Sequence, residues 1–367
     1  MKVVLDHLTK KFPSRNKKGD TVTAVSDFCF EVPDGSLIGL LGPSGCGKST
    51  ALNLICGLEK PTSGRIFFGD DDVTNLPPEN RGVGLVFQNY ALYPHLTVRQ
   101  NILFPLQNLK GKDRLSKAEM LKKADEAAKL VQIEQLMDRK PSEMSGGQQQ
   151  RVAIARALVG DGEVIVMDEP ITNLDAKLRE QMLLEIREIQ RNLGTTIFYI
   201  THDQQSALQL CDKMAIMEQD GTLCQLGTDE DIILRPANRF TFEFIGVSNF
   251  IPVVASGAGL GLDAGDSVVP WEGELPAGLS LSAGVELGVR PNDIVFDPES
   301  PIKVKVNRCT FLGSEYDYRV TLGTRELRVQ QSALDAMQRG TVKAGETTGV
   351  RLVNPRYYPA KKEAQSA

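Results

Sequence analysis

Residues 42–49 read Gly42-Pro43-Ser44-Gly45-Cys46-Gly47-Lys48-Ser49, which matches the pattern GxxxxGK[ST]. A short apolar run over 36–41 precedes this stretch and predicts a strand. Apolar residues with helical spacing follow it, namely Ala51, Leu52, Ile55 and Leu58. In this context the glycines let backbone N–H groups face an anion, and the start of the helix favours negative charge. The stretch therefore predicts a phosphate-binding loop between a strand and a helix.

A second stretch, Val164-Ile165-Val166-Met167-Asp168-Glu169, predicts a buried strand that ends in two acids. Beside a phosphate-binding loop, Asp168 is suited to hold Mg²⁺ through water, and Glu169 to lie next to an attacking water. Lys48 would reach the β- and γ-phosphates, and Ser49 would ligate the metal ion. Neighbouring carboxylates at a strand end also occur in solvated turns, and these residues alone leave that alternative open.

Strand and helix patterns alternate through the first part of the chain. Alternating apolar residues predict a strand over 21–32, and a capping box at Ser116 predicts a helix that extends to about Met137. Helical spacing recurs over 178–193, and another apolar strand pattern follows over 196–200. Such alternation predicts a largely parallel sheet with helices on both faces.

The length and the change of pattern after about Pro236 predict two domains. A chain of 367 residues is long for one compact unit, since domains usually contain about 100–200 residues. Residues 255–290 are rich in Gly, Ala and Ser, unlike the segments before them. We therefore expect domains at 1–237 and 238–367.

Period-two patterns dominate the second predicted domain. Apolar residues alternate with polar ones over 302–306 and 316–322, and Gly323 begins a turn. These patterns predict a small all-β, barrel-like domain that also contains the sole tryptophan, Trp271. The residues from Asn354 onward predict a frayed polar tail.

Composition and charge exclude several classes of protein. The formal net charge of -5, from 42 Lys+Arg and 47 Asp+Glu, lacks the basic excess that nucleic-acid binding uses. The sequence contains no run of about 18 apolar residues, so it predicts no membrane span. The N-terminal stretch becomes charged too early for a signal peptide. The six cysteines contain no CxxC pair, which argues against a zinc site or a disulfide framework and favours a reducing cytosol.

The segment Ser145-Gly146-Gly147-Gln148 predicts a second anion site. Its S-x-x-Q pattern is also a capping box, but a helix start alone does not explain the two glycines. With Met144 before it, the segment resembles the LSGGQ signature of the ATP-binding cassette family. The resemblance implies that this site binds the γ-phosphate of an ATP held by another subunit, and hence that a dimer is required.

The same resemblance implies roles for single residues. Phe12 would stack on adenine, although it could instead be a core residue of an edge strand. Gln88 would sense Mg²⁺ and water from a lid loop, with a solvated loop glutamine as the alternative. Asp175 would cross the dimer interface, and could also be a helix N-cap. His202 would contact the γ-phosphate and position water together with Glu169, although a lone histidine is usually structural.

The resemblance implies an α/β P-loop NTPase cassette with a mostly parallel sheet core, an antiparallel β subdomain and a helical subdomain at about 89–160. It implies an active ATPase that uses ATP and Mg²⁺. The predicted catalytic residues are Glu169, His202 and Gln88, and the predicted metal ligands are Ser49, Gln88 and Asp168. The predicted ATP contacts are Phe12, Gly42, Pro43, Ser44, Gly45, Cys46, Gly47, Lys48, Ser49, Thr50, Ser145, Gly146, Gly147, Gln148 and Asp175. Two departures from the family pattern, Met144 for Leu and Ile171-Thr172 for Leu-Ser, remove no ligand or base.

Two further segments resemble the importer branch of the family that includes maltose-type ATPase subunits. Residues 90–98, Tyr-Ala-Leu-Tyr-Pro-His-Leu-Thr-Val, are similar to a surface that receives coupling helices of membrane subunits. The alternative is an aromatic loop packed on its own helical subdomain. Arg290-Pro291-Asn292-Asp293 resembles the RPE-D segment of that branch, with Asn292 in place of Glu. The predicted barrel resembles its oligonucleotide-binding-like regulatory domain.

An importer ATPase implies several partners. We expect a second ATPase subunit (a homodimer or a close paralogue), two transmembrane permease subunits, an extracytoplasmic solute-binding protein and a possible regulator at the C-terminal domain. The expected location is peripheral, on the cytoplasmic face of the membrane, with no nucleic-acid partner. The expected cargo is a small polar solute, with carbohydrate first and polyamine or ferric iron as alternatives. A soluble, non-transport cassette ATPase is the competing class.

Overall fold

The structure, a computed structural model, describes residues 1–14, 20–109, 111, 114–160, 162–171, 176–257 and 259–361. The chain divides into two units, Met1–Arg235 and Pro236–Ala367. The first unit contains the glycine-rich loop and all of the alternating strands and helices. Within the described ranges, no helix is both long enough and apolar enough to cross a membrane.

The first unit contains a mixture of strands and helices. Its strands are β1 (Val3–Pro13), β2 (Thr21–Val32), β3 (Leu37–Leu41), β4 (Ser63–Phe68), β5 (Asp71–Asp72), β6 (Val83–Val86), β7 (Val164–Asp168), β8 (Thr196–Thr201), β9 (Lys213–Met217) and β10 (Leu223–Gly227). Its helices are α1 (Lys48–Cys56), α2 (Val98–Gln107), α3 (Lys117–Leu130), α4 (Gly146–Leu158), α5 (Ala176–Leu193), α6 (Gln204–Leu210) and α7 (Asp229–Leu234).

A six-stranded sheet in the order β10-β9-β3-β8-β7-β6 forms the centre of the first unit. Its pairs are parallel except for the edge pair of β10 and β9. Every residue of β3 is buried, as is typical of parallel strands covered on both faces. The carboxyl ends of β3, β7 and β8 lie at one edge of the sheet. Gly42, Asp168 and His202 therefore come to the same edge.

A separate antiparallel sheet in the order β2-β1-β4-β5 packs on this layer. Leu5, Phe28 and Ile66 from the antiparallel sheet share one hydrophobic cluster with Leu40 of β3 and Ile55 of α1. The helix that follows the glycine-rich loop thus lies between two sheets. Burial of its apolar side fixes the direction of its N-terminus.

The helices α2, α3 and α4 pack against one another within the first unit. Their buried residues include Ile102, Ala128 and Ala153, which belong to one core cluster. Each of these three helices begins with a capping box, in which a Ser or Thr side chain accepts from the third backbone N–H. Together with the two sheets, they confirm the predicted cassette architecture.

The second unit is dominated by strands. Its elements are α8 (Arg239–Phe244), β11 (Asn249–Ser256), β12 (Gly259–Asp263), β13 (Val268–Trp271), β14 (Val285–Val289), β15 (Ile294–Phe296), β16 (Lys303–Phe311), β17 (Glu315–Leu322), β18 (Arg325–Ser332), α9 (Ala333–Arg339), β19 (Thr347–Leu352) and β20 (Arg356–Pro359). The strands form two antiparallel sheets, in the orders β13-β12-β11-β14-β20 and β15-β19-β16-β17-β18. Leu287, Val304 and Val320 belong to one core that both sheets share. The predicted β class of this domain is confirmed.

Two predicted helices are shorter than expected. The helix from Ser116 ends at Leu130 instead of about Met137, because Gln132 has a φ of +57°, outside the helical region. The helix after the glycine-rich loop ends at Cys56, because Gly57 adopts a φ of +77°. Leu58 therefore does not join the buried face and is 49% exposed.

The predicted frayed tail from Asn354 is wrong for the residues just after it. Residues 356–359 form β20, which pairs with β14, and Tyr358 is buried. Tyr357 accepts a hydrogen bond from Trp271 Nε1 at 2.7 Å. Burial of Tyr358 and the hydrogen bond of Tyr357 stabilise this strand.

Candidate functional site

The glycine-rich loop joins β3 to α1 in a conformation that only glycine adopts without strain. Gly47, the N-cap of α1, has a φ of +103°, and Gly45 has a φ of +81°. A Cβ atom on Gly47 would overlap the carbonyl oxygen of Ala24 in β2. Glycine at this position therefore allows a close backbone approach that holds the N-terminus of α1 against the antiparallel sheet.

Lys48 is buried at the start of α1, and its ammonium group is held by the loop itself. Its Nζ donates to the carbonyl oxygens of Gly42 at 2.8 Å and Pro43 at 2.9 Å. The Cys46 thiol lies 3.9 Å from the same nitrogen, but burial raises the pKa of Cys46. The loop therefore presents a positive charge, and the thiol stays protonated at neutral pH.

Two residues that no sequence motif predicts hold the loop and the helix that follows it. Arg81 is buried and donates to the carbonyl oxygens of Leu54 at 2.7 Å and Ile55 at 2.9 Å, at the C-terminal end of α1. Gln219 donates from Nε2 to the carbonyl oxygen of Ser44 at 3.3 Å. Neither residue belongs to a motif, so contacts in the folded chain were needed to find them.

Asp168 and Glu169 follow each other where β7 ends. Burial raises the pKa of Asp168, and the adjacent charge of Glu169 raises it further. Glu169 has a φ of +46°, and its backbone N–H donates to the carbonyl oxygen of Ile200 at 2.8 Å. A non-glycine residue in this conformation costs about 1–3 kcal/mol and is typical of functional sites.

Glu169 contacts the other two predicted catalytic residues. Its Oε1 lies 2.7 Å from Nδ1 of His202, and its Oε2 accepts from Nε2 of Gln88 at 3.1 Å. His202 follows β8, and Gln88 follows β6, so three strand ends supply the cluster. The Glu169 side chain is 18% exposed and that of His202 is 54% exposed, which leaves the imidazole accessible to a ligand.

A cavity of about 280 Å³ joins this cluster to the glycine-rich loop. Its lining residues are Ser44, Gly45, Gly47, Lys48, Ser49, Thr50, Asp168, Glu169 and His202. A lysine, helix N-terminal N–H groups, a hydroxyl and two carboxylates thus face one polar space. This combination suits a polyphosphate with a divalent cation.

Some predicted site residues do not line the cavity. Phe12 is partly buried in β1, with Nζ of Lys10 4.8 Å from its ring centroid. The segment from Ser145 to Gln148 is the start of α4, where both halves of the capping box are present. Ser145 and Gly146 are exposed. Asp175 lies outside the described residues, so its predicted contact stays a prediction.

A groove lies beside the loop that follows Gln88. It has a volume of about 490 Å³, and its lining includes Phe87, Ala91, Tyr93, Phe104 and Arg156. Phe87 is 39% exposed and Phe104 is 36% exposed. The groove is therefore partly apolar and reaches to within one residue of Gln88.

Comparisons with known proteins agree with this geometry. Residues 25–172 match the family model of the ABC transporter, and residues 287–355 match that of the TOBE domain. The chain is 43% identical over 325 residues to the trehalose import ATP-binding protein SugC of Mycobacterium tuberculosis, covering 85% of this chain and 80% of that protein. The chain belongs to the ABC transporter family. The resemblance predicted from the signature segment is thereby confirmed.

A further relative and a solved structure are also similar to this chain. The Fe(3+) ions import ATP-binding protein FbpC of Rhizobium etli is 39% identical over 348 residues, covering 94% of this chain and 97% of that protein. The dimeric, post-hydrolysis structure of the ATP-binding cassette MJ0796 bound to ADP and Pi has a TM-score of 0.53 and 31% identity, covering 62% of this chain and 98% of that chain. This ABC chain is the ATP-hydrolysing subunit of an importer.

Proposed function

We propose that the cavity between α1 and the strand ends binds Mg²⁺·ATP and hydrolyses it, with Glu169 as the base or water-positioning group. The observation that carries this proposal is the contact of Glu169 with both His202 and Gln88 on the border of the phosphate cavity. His202 would contact the γ-phosphate, and Lys48 would hold the β- and γ-phosphates. The N–H groups at the start of α1 would bind the remaining phosphate oxygens.

The donor set fits a magnesium ion. The Ser49 hydroxyl and the Asp168 carboxylate line the same cavity, and Mg²⁺ prefers oxygen ligands. The raised pKa of Asp168 indicates negative charge that the protein alone does not compensate. When bound, the ion would neutralise phosphate charge, while Gln88 would sense its position through an amide oxygen or a water. The ion would thus make the carboxylate form of Asp168 favourable.

We infer that two copies, or this chain and a paralogue, form the complete site. The signature residues Ser145 and Gly146 are exposed and do not line the cavity of their own chain. The N-terminus of α4 therefore offers its N–H groups to a phosphate from outside. The family likeness to a dimeric cassette bound to ADP and Pi supports this arrangement.

We infer that the groove beside Gln88 receives a helix of each membrane permease subunit. Its exposed rings, Phe87 and Phe104, would bury apolar surface in the complex. Phe87 is adjacent to Gln88, so a permease that moves the groove would also move the amide that contacts Glu169. The chain would then lie peripherally on the cytoplasmic face of the membrane.

The cargo would be a small polar solute, with carbohydrate as the first candidate. The relatives named for trehalose import and for sn-glycerol-3-phosphate import, the latter from Ruegeria and 45% identical over 286 residues, support this choice. Ferric iron is the second candidate, because a relative named for Fe(3+) import covers 94% of this chain. An extracytoplasmic solute-binding protein would deliver the cargo, and the second unit would receive any regulator.

The test is a mild-detergent pull-down of the tagged chain from native membranes, with mass spectrometry and an ATPase assay of the complex. We expect two multi-span subunits, a solute-binding protein and Mg²⁺-dependent ATP turnover. Binding of labelled trehalose, glycerol phosphate, spermidine and ferric iron to the co-purified solute-binding protein would identify the cargo class. Recovery with ribosomes, or without any membrane protein, would contradict the importer assembly and favour the soluble class.

A further inference from the structure

Three metal-ligating side chains meet on the antiparallel sheet, outside the set of residues that line the ATP cavity. A ring nitrogen of His7, the Sγ of Cys29 and a carboxylate oxygen of Asp6 all lie within 4.8 Å of one another. His7 and Cys29 are exposed, and Asp6 is partly buried. The three donors are therefore accessible to an ion from solution.

A β-bulge creates this cluster. Leu5 pairs with Phe30 and Leu8 pairs with Phe28, so Asp6 and His7 together oppose the single residue Cys29. Leu5 and Leu8 are both buried, and His7 has a φ of +47°. The bulge thus keeps the two leucines in the core while both residues between them stay on the solvent side.

Asp27 orients the histidine ring. His7 Nδ1 lies 2.6 Å from Oδ1 of Asp27. A carboxylate paired with one ring nitrogen is the usual second partner of a metal-bound histidine. Asp27 therefore holds the His7 ring in one orientation.

We propose that His7, Cys29 and Asp6 bind a zinc-like divalent cation, with Asp27 as the residue that positions His7. Nitrogen, thiolate and carboxylate donors together suit Zn²⁺, and three protein ligands leave one position for water. Zinc ligands at about 2.0–2.3 Å in a tetrahedron lie roughly 3.3–3.8 Å apart. The donors lie within 4.8 Å of one another, and side-chain rotation at this exposed position would have to bring them to that distance.

The ATP reaction does not use these residues, and the site would join β1 to β2 independently of nucleotide. Sequence spacing did not suggest it, because Asp6 and Cys29 are far apart in the chain and no CxxC pair is present. The pairing register of β1 with β2 brings Asp6 and Cys29 together. The spacing rule that argued against zinc applies to ligands from one short segment, and the ligands here come from two strands.

The first test is calorimetric titration of Zn²⁺ into the full chain, with excess Mg²⁺ present to occupy other carboxylate sites. We expect one zinc ion per chain. Replacing Cys29 by Ser or His7 by Asn should weaken the affinity at least about 10-fold, as should Asp27→Asn. The controls Cys309→Ser and His95→Asn should bind zinc as the parent does. No stoichiometric binding, or binding that survives both Cys29→Ser and His7→Asn, would overturn the proposal.

A second measurement separates direct ligation from an indirect effect on folding. Co²⁺ in the same site should give a cobalt–thiolate charge-transfer absorption in the parent and in Cys309→Ser. The band should be absent in Cys29→Ser while the far-ultraviolet circular dichroism is unchanged. Asp27→Asn should retain the band, but a higher cobalt concentration should be needed to reach the same absorbance. A band that persists in Cys29→Ser would assign the thiolate to another cysteine and refute the site.

Discussion

The guanidinium of Arg156 donates from Nη2 to the carbonyl oxygen of Tyr90 at 2.8 Å. Its Nη1 donates to the next carbonyl, that of Ala91, at 2.7 Å. Tyr90 and Ala91 both have positive φ, at +61° and +46°, which costs free energy for residues other than glycine. Arg156 belongs to the signature helix α4, and Tyr90 follows Gln88 by two residues. One half-buried cation thus fixes a strained loop between the signature helix and the cluster around Glu169.

We predict that Arg156→Lys lowers the free energy of unfolding of the first unit by about 1–3 kcal/mol. The ammonium group keeps the charge but lacks the planar fork that reaches two carbonyl oxygens at once. Urea denaturation followed by far-ultraviolet circular dichroism would measure the change. Fluorescence of Trp271 reports the second unit and should be unaffected. The exposed Arg191→Lys is the matched control, and equal stability of both variants would contradict the prediction.

We predict that Glu169→Gln retains ATP binding but lowers turnover about 10²–10⁴-fold. The amide keeps the shape of the side chain and its contact with Gln88, yet it cannot accept a proton from water. Nucleotide should therefore accumulate in a closed dimer, which size-exclusion chromatography with Mg²⁺·ATP would detect. Glu163→Gln, an exposed carboxylate six residues earlier, is the control and should hydrolyse ATP normally. Normal turnover by Glu169→Gln would remove Glu169 from its assigned role.

The backbone at Glu169 gives a separate prediction about stability. At ordinary positions glycine is less stable than alanine by about 0.5–1 kcal/mol. With a φ of +46° at residue 169, we expect the opposite order, with Glu169→Gly about 1 kcal/mol more stable than Glu169→Ala. The same pair of substitutions at Glu163 should show the ordinary order. Thermal unfolding of the four variants would measure the two differences in stability. If alanine were more stable than glycine at both positions, the backbone at residue 169 would not be strained.

The close approach at Gly47 predicts a large steric effect. Gly47→Ala places a methyl group against the Ala24 carbonyl, a backbone atom that cannot move without shifting β2. Gly45→Ala is the matched control, because its φ is also positive but its nearest neighbour is the flexible Gln219 side chain at 3.5 Å. We expect Gly47→Ala to lose at least about 2 kcal/mol more stability than Gly45→Ala. If urea denaturation showed similar losses of stability in both variants, the close approach of the Ala24 carbonyl would not be the reason for glycine at position 47.

The sequence predicted those parts of the structure that depend on local pattern. The strand before Gly42, the helix after Gly47 and the acids after Met167 each follow from a short apolar run beside residues of fixed chemistry. The proximity of Glu169 to His202 follows from the rule that the carboxyl ends of parallel strands lie at one edge of the sheet. The resemblance to a known family supplied what no local pattern contains, namely the role proposed for the exposed Ser145.

The features that the sequence did not predict depend on contacts between distant segments. Arg81 caps α1 from 25 positions beyond Cys56 (81 − 56), and no local signal marks it. The bulge at His7 is visible only once the pairing of β1 with β2 is known. The sequence predicts a tail in place of strand β20, because a charged stretch at 361–363 follows shortly after its aromatic residues. In these segments the contacts with distant parts of the chain, rather than the local sequence, determine the structure.

The raised pKa of Asp168 makes the stability of the chain depend on pH. A carboxyl whose pKa is higher in the folded than in the unfolded chain binds its proton more tightly when folded. The free energy of unfolding therefore falls as pH rises from the ordinary value of 3.8 through the raised value, and it stays lowered above that window. Asp168→Asn removes this cost, so the variant should be more stable than the parent at pH 8 without nucleotide. The difference should shrink as the pH approaches the ordinary value.

Addition of Mg²⁺·ATP should reverse this order, because the ion stabilises the parent through the carboxylate and cannot do so through the amide. Thermal unfolding with and without Mg²⁺·ATP would measure both effects. Asp72→Asn is the control. Hydrogen bonds from Thr74 lower the pKa of Asp72, so the ionised carboxylate stabilises the folded chain. Replacing this carboxylate should therefore not stabilise the chain at any pH. If Asp168→Asn were less stable than the parent in the absence of nucleotide, the carboxylate would be serving the fold instead of the ion.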